Sequence, residues 1–411
     1  MTEPTAASGR RTELDAIRTL VVIGLVFFHS ALVFATDSDF YVKNRDTTDT
    51  ILVIGGFGVV WAMPMLFFVA GLGSWYSLRR RGPRGFARER LLRLGVPLLF
   101  ATAVLLPVPQ WLRERASHPG YDESYLRFLP RFFDVHLDLS EFPFVVQGEY
   151  FETGHLWFVV LLLTFSLLLA LTAPWVPAVY VRRIRDGVAR ACERRGVVLL
   201  AALPVAVMCA LLGLEENYAA WHRWTYLLFF VYGFVLAGDE RLRAAMRRDA
   251  VVAAVLGPLL FAASAPGLMA DGDPFMDWTG PAVLARTLYG AAGWCWIVGI
   301  VGLLDRRPRP APAPDEGRGG KADVGRRRRL FGYLAVGALP LYVLHQPIVV
   351  AVAYGVVGTD ASIPVKYALI VAASLCLTLA AYDLLVRRTP VTRFLFGMRP
   401  GAPRPVPGRH D

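Results

Sequence analysis

Ten runs of apolar residues divide the chain, at 14–35, 51–78, 91–112, 155–177, 197–214, 224–238, 250–269, 281–304, 330–357 and 364–386. Most approach the ~20 residues that a helix needs to cross a bilayer core. Those at 197–214, 224–238 and 250–269 are short or broken by Gly and Pro. Inside hydrocarbon each backbone N–H and C=O must find its partner within the segment, so such runs fold as helices. The chain has 411 residues, 55% of them hydrophobic and only 19% charged, with mean hydropathy +0.44. It reads as an all-α polytopic membrane protein with about ten transmembrane helices.

Charge sets the orientation. With the N-terminus in the cytoplasm, the inner connections hold 34 Lys and Arg residues and the outer ones seven. Basic residues resist translocation, so the asymmetry places both termini inside, in a multi-pass protein of the bacterial plasma membrane. The net charge of +11 is explained by these loops, and no nucleic-acid partner is expected. Residues 1–13 form a cytoplasmic tail, 14–386 the transmembrane domain and 387–411 a second cytoplasmic tail. Two connections stand out. The outer loop 113–154 is acidic, aromatic and long enough to cap a site. The inner linker 306–329 is rich in Pro, Gly and Arg, and is expected to be disordered and basic.

Cys209, Cys295 and Cys376 lie in apolar runs and Cys192 in a basic loop, without metal-ligand or redox spacing. No metal is expected. No small-residue cleavage site follows the first run, which is expected to stay as an anchor.

The first run carries ionisable residues where they are costly: Asp15, Arg18 and His29. Arg18 and His29 are eleven residues apart, which returns to nearly the same helix face roughly 16 Å further on. His345, fifteen residues into the ninth run, falls at similar depth, and His155 opens the fourth run at the outer surface. Arg18, Arg88, Arg90 and Arg93 gather at the inner ends of the first three runs. Each has a structural alternative. Arg18 suits a snorkelling anchor; Arg90 and Arg93 suit loop-to-helix charges; His29 suits packing. His345 precedes Gln346–Pro347 and suits a proline-freed carbonyl. His155 and Trp157 suit interfacial anchoring, and Glu149 and Glu152 suit solvated loop charges.

Five stretches in order carry a resemblance. These are Arg18 to His29 within L-D-A-I-R-T-L…F-F-H-S, M-P-M-L-F-F-V-A-G-L-G-S-W-Y-S-L-R-R-R in the second run, and R-E-R-L-L-R-L-G-V-P (Arg88 to Pro97). The last two are H-L-W-F (His155 to Phe158) and L-Y-V-L-H-Q-P (Leu341 to Pro347). Together they resemble the acyltransferase 3 family of integral membrane O-acyltransferases. The second- and third-run texture is most similar to the branch containing the glucan-modifying protein C, which succinylates osmoregulated glucans. One departure is Ala70, where many members carry Ser.

The resemblance implies transfer of an acyl group (acetyl, succinyl or another short chain) from cytoplasmic acyl-CoA to a hydroxyl of an extracytoplasmic glycan, glycolipid or glycosylated small molecule. His29 would be the general base, with Arg18 and His345 as further catalytic residues. Arg18, Arg90 and Arg93 would bind the donor, and Tyr342, His155, Trp157 and Glu149 the acceptor. The alternative from another class is a transporter or exporter of a small polar or acylated molecule, which predicts a repeat symmetry not visible in the chain.

Overall fold

The computed structural model describes residues 12–36, 39–48, 50–305 and 318–399. They are almost wholly helical. In chain order the helices are α1 (Thr12–Leu32), α2 (Thr50–Arg90), α3 (Val96–Val104), α4 (Pro107–Ser117), α5 (Tyr125–Phe132), α6 (Trp157–Thr172) and α7 (Ala178–Ala191). They continue with α8 (Ala202–Leu212), α9 (Arg223–Leu236), α10 (Glu240–Leu268), α11 (Gly280–Asp305), α12 (Arg318–Val356), α13 (Ile363–Ala381) and α14 (Pro390–Leu395). Single π-helical turns sit at Leu91–Gly95 and Tyr382–Val386.

Among the described residues, six helical stretches are long and apolar enough to cross a membrane, joined by the shorter apolar helices Ala16–Leu32 and Val197–Leu212. The stretch Phe57–Ser117 runs for 61 residues and takes in two of the ten expected runs. It bends at Gly82, whose φ of 68° precedes Pro83. α9 covers the run at 224–238. The chain is an all-α polytopic membrane protein.

Asp15's side chain, the first eleven residues, residues 306–317 and residues 400–411 lie outside what the structure describes. The second half of the linker expected to be disordered, residues 318–329, is helical backbone that continues into α12. Arg, Lys and Ala are good helix formers, so an adjoining apolar helix can extend through them.

The chain divides into two compact units. The first comprises residues 1–21, 48–88 and 161–332; the second comprises 22–47, 89–160 and 333–411. In the first unit, small residues let helices approach closely. A Cβ on Gly71 of α2 would strike the Phe230 carbonyl of α9, and one on Gly233 of α9 would strike the Phe68 carbonyl of α2. This reciprocal contact is what helix association in lipid requires, where van der Waals packing replaces the hydrophobic drive. α10 and α11 pack alike, Gly299 lying against Ala254. At one end of that pair Asp305 accepts from both Arg243 and Arg247 at 2.6 Å.

In the second unit the outer loop is folded. Phe128 and Phe132 of α5 are fully buried, and a two-residue hairpin pairs His136 with Gln147 and Leu137 with Val146. Arg131 bonds Glu123 at 2.7 Å and lies 4.3 Å from the centre of the Tyr150 ring. Overpacking a tight helix crossing costs about 3 kcal/mol. Gly233→Val should therefore lower the thermal midpoint of the purified protein, whereas Gly58→Ala, where an added methyl meets nothing within 4 Å, should not. Equal midpoints would refute the crossing.

Candidate functional site: three imidazoles on a proline-broken helix

α12 contains Pro347, and proline has no backbone N–H. The carbonyl four residues earlier, at Val343, therefore lacks its helical donor. His155, in the turn Gly154–Leu156 that opens α6, supplies one: its Nε2 lies 3.1 Å from the Val343 oxygen. Tyr342, one residue earlier on α12, donates its hydroxyl to the His155 carbonyl. Thus His155 is fastened to α12 at both its ring and its backbone.

His345 is held by its own turn. Its Nδ1 lies 2.5 Å from the Tyr342 carbonyl. The proline-freed carbonyl is thus met by His155, not by His345. Its ring centre is 5.0 Å from that of His29 on α1 and 5.1 Å from that of His155. The Tyr342 ring lies 5.4 Å from His155 and 5.6 Å from His345. The second unit therefore gathers His29, His155, His345 and Tyr342 around one point.

The carbonyl contacts fix the tautomers. A carbonyl oxygen only accepts, so neutral His155 carries its proton on Nε2 and neutral His345 on Nδ1. The opposite nitrogens are lone-pair acceptors. His155 Nδ1, His345 Nε2 and His29 Nδ1 are all buried without a hydrogen-bond partner among the described residues, as are Ser30 Oγ and Gln346 Oε1 next to the histidines in sequence. Each such atom costs roughly 1–3 kcal/mol unless a ligand or water meets it. His155 and His345 are 5% and 0% exposed, whereas His29 is only half-buried. His29 is the most exposed of the three imidazoles. No group of three His, Cys, Asp or Glu among the described residues is set to hold a metal.

The segment after α1 closes over this cluster. The Phe40 ring stands edge-on to His29 at 6.0 Å. Tyr41 donates its hydroxyl to Glu152, three residues before His155, and Arg113 lies 4.8 Å from the Tyr41 ring centre. Gly154 adopts φ +45°, and a Cβ there would come within 2.8 Å of the Tyr41 oxygen. Buried Lys366 of α13 pins the segment further, bonding Asn44 Oδ1 and the Val357 carbonyl, each at 2.9 Å. Burial, and then the Asp39 carboxylate, push the Glu152 carboxyl up to about 7.

The other expected site residues are dispersed. Arg18, in the first unit, donates to the Val69 carbonyl of α2 at 3.2 Å. Arg90 ends α2, and Arg93 of the π turn bonds the Gly397 carbonyl at 3.3 Å with Glu89 3.8 Å away. Trp157 is buried, but it is Phe158 whose ring lies 5.5 Å from Tyr342. Glu149 is exposed, while Glu152 is interior. Phe40, Tyr41 and Lys366 are not singled out by the sequence, and Glu152 reads there only as a solvated loop charge. Only Lys366, one of three lysines in the chain, was unusual enough to mark.

The acyltransferase 3 family model, described as an acyltransferase domain, matches residues 11–385. The chain belongs to that family. No curated protein and no solved structure matches it. The acyltransferase 3 match spans every residue of the histidine cluster, and it makes this multi-pass membrane protein an acyltransferase.

Two outcomes follow from the geometry. Pro347→Ala restores the helical donor to Val343, so His155 should lose its anchor. Transfer activity should then fall while helix content and membrane insertion hold, and unchanged activity would remove the proline from the design. The second concerns pH. A carboxyl near 7 when folded and about 4.5 when exposed supports the fold below about pH 4.5, and that support is lost as pH rises through about 7. The difference is roughly 3 kcal/mol. Melting midpoints measured across that window should slope downward, and Glu152→Gln should flatten the slope; an equal slope in the variant would assign the titration elsewhere.

Proposed function

We propose that the protein transfers a short acyl group from cytoplasmic acyl-CoA to a hydroxyl of an extracytoplasmic glycan, glycolipid or glycosylated small molecule. The observation that carries this reading is the cluster itself. One half-buried imidazole stands against two that are anchored on backbone carbonyls, in a chain of the acyltransferase 3 family.

In the reaction, His29 takes the proton of the acceptor hydroxyl as its oxygen attacks the thioester carbonyl. The tetrahedral intermediate collapses, the C–S bond breaks, and the imidazolium returns the proton to the departing thiolate. The products are an ester and CoA. His345, fixed by the Tyr342 carbonyl, lies beside His29 and sets its orientation. His155 and Tyr342 form the floor that receives the acceptor, with Trp157 near the outer mouth. Glu149 is too exposed for that floor, and we assign its acceptor-facing role to Glu152. Arg18 contributes donor binding, since guanidinium groups make charge-assisted bonds to phosphate; Arg90 and Arg93 contribute likewise.

The test uses purified protein with radiolabelled acyl-CoA and membrane glycolipid extract. His29→Ala should lose at least about a hundredfold in ester formation, the typical contribution of a positioned base, while keeping its melting midpoint. Full product yield from that variant would end the general-base assignment. Arg18→Ala should weaken acyl-CoA binding, and an unaltered affinity would place the phosphates elsewhere.

A further inference from the structure

Within the first unit, a group of cations is left without use by the reaction. Trp75 of α2 has the Arg185 guanidinium of α7 4.3 Å from its ring centre and that of Arg79 5.2 Å away. The turn before α10 presses on both: a Cβ on Gly238, at φ +77°, would come within 3.2 Å of Trp75 Nε1 and 3.3 Å of Arg185 Nη2. Arg185 is 14% exposed, and its Nε and Nη2 have no hydrogen-bond partner among the described residues.

The nearest carboxylate pairs with it only in part. Asp239 stands 3.9 Å off and is occupied by Arg241, which bonds both of its oxygens at 2.9–3.2 Å and also bonds Asp186 at 2.6 Å. Arg185 and Arg241 therefore share Asp239, and Arg79 adds a further positive charge beside Arg185. Burial and the Arg79 charge both work against the protonated form of Arg185. A half-buried cation whose donors find no hydrogen-bond partner among the described residues calls for an anion.

The surrounding surface indicates where that anion comes from. On α7, Tyr180, Ile184 and Val188 are spaced four apart and are 55%, 62% and 42% exposed; Trp175, just before the helix, is 82% exposed. An apolar stripe flanked by arginines and an exposed indole is the pattern of a helix lying in a membrane interface. The positive-inside count puts this helix at the cytoplasmic leaflet, where the anionic headgroups are.

We propose that α7 lies in the cytoplasmic interface, and that Arg185 and Arg79, backed by Trp75, hold the phosphate of an anionic phospholipid. Tyr180, Ile184 and Val188 enter the acyl layer beside it. The site is independent of the acyl-transfer reading. It gives the protein a requirement for anionic lipid that a neutral bilayer does not meet.

The experiment is native mass spectrometry of the delipidated full chain titrated with phosphatidylglycerol, and in parallel with phosphatidylcholine and CoA. Each basic residue near an anionic surface is worth ~1 kcal/mol, so Arg79→Gln with Arg185→Gln should weaken phosphatidylglycerol binding about thirtyfold. Phosphatidylcholine binding should be unchanged. Ile184→Ser, an exposed change that leaves the fold intact, should also weaken phosphatidylglycerol binding, and melting midpoints confirm folding in each variant. Wild-type phosphatidylglycerol affinity in the folded double variant or in Ile184→Ser overturns the proposal. A loss confined to CoA binding overturns it too, by giving the cations to a nucleotide phosphate.

Discussion

The bond between His155 Nε2 and the Val343 carbonyl is the interaction on which the second unit's chemistry depends. It exists because Pro347 cannot donate to that carbonyl. In a bilayer an unmet carbonyl is expensive, so a proline inside a spanning helix needs a donor from elsewhere. Here the donor is an imidazole at the mouth of α6. One covalent fact about proline thus joins two helices, chooses the tautomer of His155, and leaves that ring's other nitrogen as a base.

The same economy governs His345. Its Nδ1 turns back on the Tyr342 carbonyl, while the Tyr342 hydroxyl reaches the His155 carbonyl. Two neighbouring residues of α12, Tyr342 and Val343, therefore hold both His155 and His345, the second of which lies beside His29. Such anchoring restricts the rings before any substrate arrives, which is how a site is held to the geometry that a reaction needs. The cost is a set of buried nitrogens that find no partner among the described residues, which a bound molecule or water would relieve.

Much of this was readable from residues alone, for definite reasons. Apolar run length reports helices because hydrocarbon permits little else. Ionisable residues inside those runs report a site because lipid excludes them, which is why Arg18, His29 and His345 stood out. The rule weakens at the membrane edge, where charge is ordinary. Glu149 and Glu152 are three residues apart in one acidic loop, and nothing in their neighbours says that Glu152 turns inward onto Tyr41 while Glu149 stays outside. Tyr41 and Phe40 come from a short connection without periodicity, so only tertiary structure places them. His345 was readable as a candidate, but its partner was not, because proline frees a carbonyl without naming the donor that will fill it.

α1 carries two ionisable residues with opposite surroundings. It is a single helix of 21 residues, and along it Arg18 and His29 are separated by roughly 16 Å of helical rise. Arg18 is spoken for in part by the Val69 carbonyl, so its charge is fixed in direction as well as tolerated. His29 has the opposite situation, with one nitrogen buried and unmet and the ring still half-open. A helix built only for anchorage would avoid both residues, since leucine at either position removes a desolvation cost.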